Sequence, residues 1–120
     1  MKSFRFVNLT PHEITIVDAN GNRLDIVSNG LARVKMLEGY DDPLGDIPVI
    51  RSPRIGALVG LPAPEDGNVF LVSNEVLAHP DTFGRRDVYA PATRRRHSPY
   101  RDDRGNVIGV CALISAPRED

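Results

Sequence analysis

Short stretches in which apolar and polar residues alternate run along this chain, most of them closed by Gly, Pro, Asn or Asp. A period of two puts successive side chains on opposite faces of a strand. Ile14 and Ile16 therefore share one face and Thr15 and Val17 the other. Asn20-Gly21 supplies the positive-φ pair of a tight hairpin, and Leu24 to Val27 returns. Leu31 to Leu37 alternates in the same way and predicts a third strand. Glu38 to Asp46, acidic and broken by Gly and Pro, reads as an exposed loop. Ile47 to Ile50 and Ile55 to Val59 predict two short strands broken at Ser52-Pro53. The stretch from Gly60 to Gly67, with Pro62 and Pro64 inside it, predicts a stiff connection. Val69-Phe70-Leu71-Val72 is a continuous apolar run, the pattern of a central strand buried on both faces.

One helix is predicted. Ser73 caps it, Glu75 lies in its first turn, it runs to Ala78, and Pro80 follows its end. Thr10-Pro11-His12-Glu13 also has the residues of a helix start, yet β-branched residues follow at once. A single turn feeding a strand satisfies both signals. The last strand is expected from Val107 to Ile114, after the turn Asp102-Asp103-Arg104-Gly105, with Cys111 as a packing residue on it. The expected fold is α+β, mainly antiparallel β-strands with one short helix, in a single domain over residues 1–120.

Composition narrows the chemistry. Val and Ile number 20 against nine Ala, which favours strands, and a net charge of −1 gives no overall pull toward nucleic acid or anionic membrane. A single Cys leaves neither an internal disulfide nor a Cys-based zinc site. His12, His79 and His97 have no short ligand spacing, and no metal or cofactor is expected. Apolar runs stop at six residues, so no membrane span is expected. The opening Met1-Lys2-Ser3-Phe4-Arg5-Phe6 lacks a secretory apolar stretch, so a cytoplasmic location is expected. Nucleophile-elbow, phosphate-loop and paired-His metalloprotease motifs are all missing from the sequence. No catalytic residue is expected.

Charge is unevenly distributed. Arg85 to Arg104 holds seven Arg against three Asp, a basic segment in an otherwise acidic chain. Arg outnumbers Lys 13 to 2, and its planar fork suits phosphate and carboxylate. A GC-rich coding sequence gives the same ratio without any ligand. Within the segment, Arg86, Tyr89, Thr93 and Arg101 combine guanidinium groups, a stacking ring and a hydroxyl, the elements of a site for a nucleotide-like anion. The competing reading is a solvated loop whose Arg residues pair with Asp. Arg51 and Arg54 bracket a strand break, where they either aim into the same pocket or guard a strand edge. His12 is a secondary candidate, as a ligand contact or as a turn-holding side chain.

Val7-Asn8-Leu9-Thr10-Pro11-His12-Glu13-Ile14 resembles the N-L-T-P-H opening of a family of small proteins from actinobacterial phages, prophages and their hosts. Ile47-Pro48-Val49-Ile50-Arg51, Gly60-Leu61-Pro62, Val69-Phe70-Leu71-Val72-Ser73, Arg86 to Thr93 and Arg101 to Ile108 are similar in the same order. Where relatives carry a Gly-Pro-rich stretch, this chain has Arg94-Arg95-Arg96, which sets those three apart from any shared function and leaves them open to one particular to this chain. The resemblance implies a phage setting in host cytoplasm. There, small accessory proteins sequester host components, among them Thoeris anti-defence sponges for cyclic ADP-ribose-type signals.

Three functions follow as expectations. The first is a non-enzymatic protein that binds, or sequesters, a small anionic nucleotide-derived ligand through Arg51, Arg86, Tyr89, Thr93 and Arg101. The second is a protein or nucleic-acid interaction module using the basic 85–104 loop. The third is a small hydrolase acting on a nucleotide-like ligand with Asp87 and His12. Exposed strand edges in so small a domain also predict a homo-oligomer.

Overall fold

The computed structural model describes residues 3–119; Met1, Lys2 and Asp120, the ends of the expected 1–120 domain, lie outside them. Its strands are β1 (Arg5–Asn8), β2 (Ile14–Val17), β3 (Arg23–Ile26), β4 (Arg33–Leu37), β5 (Tyr40–Leu44), β6 (Ile47–Ile50), β7 (Arg54–Val59) and β8 (Asn68–Leu71). Helix α1 (Asn74–Leu77) follows, then β9 (Val88–Pro91), β10 (Tyr100–Arg101), β11 (Val107–Gly109) and β12 (Leu113–Ser115). The protein is strand-rich with one short α-helix, and most strand pairs are antiparallel.

The central sheet departs from the antiparallel expectation. Its order is β1-β8-β9-β12, with β1, β8 and β9 parallel and only β12 antiparallel. Parallel neighbours need long crossovers. Strands β2 to β7 make the first, and α1 with the 3-10 turn Pro80–Thr82 makes the second. Both crossovers cover the sheet, which is why the run Val69–Val72, most of it in β8, is apolar at every position. Ser73 caps α1 as expected, its Oγ accepting from the Val76 amide at 3.3 Å.

Strand alternation sorts the core into two layers. Val7, Phe70, Val72, Val88, Ala90 and Ile114 face one side, packed with Val76 and Leu77 of α1 and with Val34 and Leu58 of β4 and β7. Phe6, Leu71, Tyr89 and Leu113 face the other, packed with Ile14, Ile16 and Ile26 of the β2–β3 hairpin and with Val110. The sheet is thus covered on both faces by hairpins that the chain inserts between β1 and β8.

A buried polar corner joins these layers. Asn8 ends β1 with no solvent exposure, and its Nδ2 donates to the carbonyls of His12 (2.8 Å) and Ile26 (2.9 Å). Its Oδ1 accepts from the Thr10 amide (3.0 Å) and hydroxyl (2.7 Å). The Ser28 hydroxyl closes the corner on the Thr10 carbonyl at 2.6 Å. Residues 10–12 form a bend rather than a helical turn, because Asn8 satisfies the groups that a capped helix start would have used.

The two tight hairpins share one turn chemistry, Asp-x-x-Gly-Asn. In Asp18 to Asn22 the Asp18 carboxylate accepts from the Asn20 and Asn22 amides, both at 2.9 Å. In Asp102 to Asn106 the Asp102 carboxylate accepts from the Arg104 and Asn106 amides, again both at 2.9 Å. The expected positive-φ pair is corrected here: Gly21 sits at φ 82° and Asn20 does not, since the Asp18 side chain holds Asn20 in an ordinary turn conformation. The expected last strand is likewise divided into β11 and β12, and Cys111, in the gap, is exposed rather than packed.

Residues 38–46 are not a loop. Tyr40 pairs with Ile50, Asp41 with Val49 and Leu44 with Ile47, so β5 and β6 continue the β4–β7 ladder outward as one long hairpin arm. The Arg51 amide donates to the Gly39 carbonyl at 2.8 Å and joins the two halves. The radius of gyration is 17.8 Å, against about 13–14 Å for a compact chain of this length. The longest dimension is 62 Å. Glycine is required where the arm returns to the body: Gly60 has φ 91°, and a Cβ there would collide with the Leu31 carbonyl oxygen.

Replacing Asn8 with Ala takes this partner from the Ile26 carbonyl and the Thr10 amide, while the His12 carbonyl keeps the Thr10 hydroxyl at 3.0 Å, so it is expected to cost about 2 kcal/mol or more. Urea or thermal melts of Asn8→Ala measure this. An unchanged midpoint would show that the corner is not a keystone.

Candidate functional site

The residues expected to form one site are spread over several elements. Arg51 lies on the arm, where its Nε and Nη2 hold the Asp41 carboxylate across β5 and β6 at 2.8 and 2.7 Å. Arg54 starts β7 opposite Leu37 and is exposed. Arg101 donates from Nη1 to the Gly105 carbonyl at 2.7 Å, inside its own hairpin. The Tyr89 ring packs in the core layer with Leu71, and its hydroxyl donates to the Arg86 carbonyl at 3.2 Å. None of these four lines either of the two adjoining clefts that Arg86 lines.

Those Arg86 clefts, of about 390 and 400 Å³, are lined by Asp66, Gly67, Asn68 and Asp87 as well. Phe4 opens on the second, edge-on to Phe6 with ring centroids 5.0 Å apart. Carboxylates make this wall a poor seat for an anion. Asp87 is held by Arg85 in a two-point ion pair, Nε to Oδ1 at 2.7 Å and Nη2 to Oδ2 at 2.8 Å, with both side chains mostly buried.

His12 and Thr93 do meet. They line a cleft of about 400 Å³ with Pro91 and residues 107–110, whose walls are largely apolar. Asp87 is not in that lining, so the structure does not assemble the Asp87–His12 pair of the hydrolase reading. His79 is structural. It is buried, its Nδ1 accepts from the Asp81 amide at 3.1 Å, and its Nε2 therefore donates to the Gly56 carbonyl of β7 at 2.8 Å. Among the described residues no group of three or more His, Cys, Asp or Glu is placed to hold a metal ion.

Two of the arginines set aside in the sequence share a cleft of their own. Arg94 and Arg96 line one cleft of about 270 Å³ with Asn74, Leu77, Ala78, Ile114, Ser115 and Pro117, and among the described residues no carboxylate is in the lining. Neither guanidinium has a hydrogen bond or ion pair to the described residues. The surrounding 3-10 turn Arg95–His97 has two further anomalies. The His97 Nδ1 is buried with no protein partner among the described residues, and Ser98 adopts the left-handed conformation at φ 50°. Both cost free energy, and such costs concentrate at functional segments. The missed signal was local: three consecutive Arg with no acid within five residues on either side.

Among the described residues no helix is long and apolar enough to cross a membrane. No family model, curated protein or solved structure matches the chain.

The turn carboxylates give a pH expectation. Backbone hydrogen bonds, from Asn22 to Asp18 and from Asn106 to Asp102, hold both below the usual carboxylate value of 3.8. A depressed folded-state value adds stability that is present above pH 3.8 and is lost as pH falls through the folded value. Carboxyl carbon shifts followed by NMR should show both Asp titrating below 3.8, with loss of their turn amide protection in the same range. Titration at or above that value would refute the turn assignment.

Proposed function

We propose that the protein binds, without catalysis, a small anionic nucleotide-derived ligand whose phosphate lies between Arg94 and Arg96. The observation that carries this reading is a pair of arginines lining one cleft in which no carboxylate stands among the described residues. Desolvated or not, a guanidinium without a protein partner is free to form charge-assisted, two-point contacts with phosphate. The cleft is slightly smaller than the roughly 300 Å³ at which small-molecule pockets begin. It suits the phosphate end of the ligand, with the remainder lying over Leu77, Ile114 and Pro117. Arg86 and Phe4, on the separate acidic wall, and Thr93, on the His12 cleft, are then outside the contact set. Sequestration of a host signal, as an anti-defence sponge in the host cytoplasm, is the role this chemistry serves in the phage setting that the sequence suggests.

Calorimetry against mononucleotides, cyclic nucleotides and cyclic ADP-ribose tests the proposal. Binding of one class is expected, weakened about 10- to 100-fold by Arg94→Ala or Arg96→Ala, the range for a lost hydrogen bond to a charged group. Ligand recovered by chromatography should be unaltered. No heat with any phosphate compound removes the reading, and an altered ligand converts it to an enzyme. Binding only to oligonucleotides, with affinity falling steeply in salt, favours the nucleic-acid module instead.

A further inference from the structure

We propose that the hairpin arm, residues 33–59, is a dimerisation arm that packs face to face against the same arm of a second copy of this chain, the two running in opposite directions.

The arm is built as an interior without a cover. Met36 and Ile55 are cross-strand partners, as are Tyr40 and Ile50, and Leu44 and Ile47, and all six are more than half exposed. The register puts Met36 and Ile55 on the face that continues from the core pair Val34–Leu58. Farther out, Tyr40 with Ile50 and Leu44 with Ile47 fall on opposite faces, so the outer half is apolar on both. Of residues 40–50 only Val49 is partly buried. Two-stranded ribbons are marginal in water, and isolated apolar ribbons of this length need a layer against them.

Charge identifies the layer as a second arm. The inner half, β4 and β7, carries Arg33, Lys35 and Arg54 and no acid. The outer half, residues 38–51, carries Glu38, Asp41, Asp42 and Asp46 against Arg51 alone. Each arm is therefore neutral overall but polarised, basic at its root and acidic at its tip. Two such arms related by a twofold axis and laid antiparallel place each acidic tip on the other's basic root. Parallel arms would stack like on like. This is the self-complementarity an isologous interface requires.

Prolines direct the contact to the faces. Pro43 in β5 and Pro48 in β6 each remove an amide from the ribbon edges, so neither edge offers a full ladder for strand addition. A closed pair is favoured over an open fibre.

The test is a charge-swap pair of full-length chains. The tip variant carries Glu38→Lys, Asp42→Lys and Asp46→Lys; the root variant carries Arg33→Glu, Lys35→Glu and Arg54→Glu. Wild type is expected to be a dimer by sedimentation at micromolar concentration. Each variant alone is expected to be monomeric with an unchanged circular dichroism spectrum, and an equimolar mixture to recover the dimer. Leu44→Asp with Ile47→Asp is expected to give a monomer that keeps the wild-type melting temperature of the body. A monomeric wild type overturns the proposal, as do variants that remain dimeric alone or a mixture that stays monomeric.

Discussion

The buried side chain of Asn8 holds together the parts on which the rest of the molecule depends. It ends a strand of the central sheet and satisfies backbone groups from the bend after it and from the end of β3. The chain on either side is fixed in turn: the Leu9 amide bonds to the Leu71 carbonyl, the Asn29 amide to the Asn8 carbonyl and the Ala32 amide to the Leu9 carbonyl. One corner thus ties the central sheet, the β2–β3 layer on one face and the entry to the arm on the other. A hydrophobic residue at position 8 would fill the space and take this partner from the Ile26 carbonyl and the Thr10 amide. The geometry requires an amide, which donates twice and accepts twice, and a carboxylate could not supply the donors.

Elements whose information is local were legible in the sequence. The β2–β3 hairpin, the Ser73-capped helix and the β8 run follow from period, capping chemistry and apolar continuity, each readable within a few residues. Sheet order was not. Whether β8 pairs parallel or antiparallel depends on what crosses over it, a non-local matter that the apolar run only hints at. The acidic stretch 38–46 reads as a loop in the sequence because Gly39, Pro43 and Gly45 usually break strands. In a ribbon paired on one side only, a proline amide pointing outward breaks nothing.

The site was legible in kind rather than in place. Which guanidinium groups are available depends on their partners, and partners are set by tertiary structure. Arg51 and Arg85 hold carboxylates, and Arg101 holds a carbonyl. Tyr89 has a hydroxyl near Arg86 but a ring committed to the core. Arg94 and Arg96 depart from the stretch that the resembling proteins carry, and they alone among these share a cleft with no carboxylate among its described lining residues.

The basic cleft and the polarised arm solve opposite problems with the same residue types. In the arm, charge is balanced within a half-molecule and separated by position, so attraction appears only between two copies. In the cleft, the two arginines have no carboxylate beside them among the described residues, so under the proposed function attraction is directed at a ligand that brings its own negative charge. A chain with net charge −1 has no long-range field to steer either event. Specificity in both must then come from local arrangement: which carboxylates sit on the arm tip, and which wall of the body lacks them. Moving one acid, from residue 46 on the arm to residue 95 in the basic turn, would leave composition and net charge unchanged while weakening both.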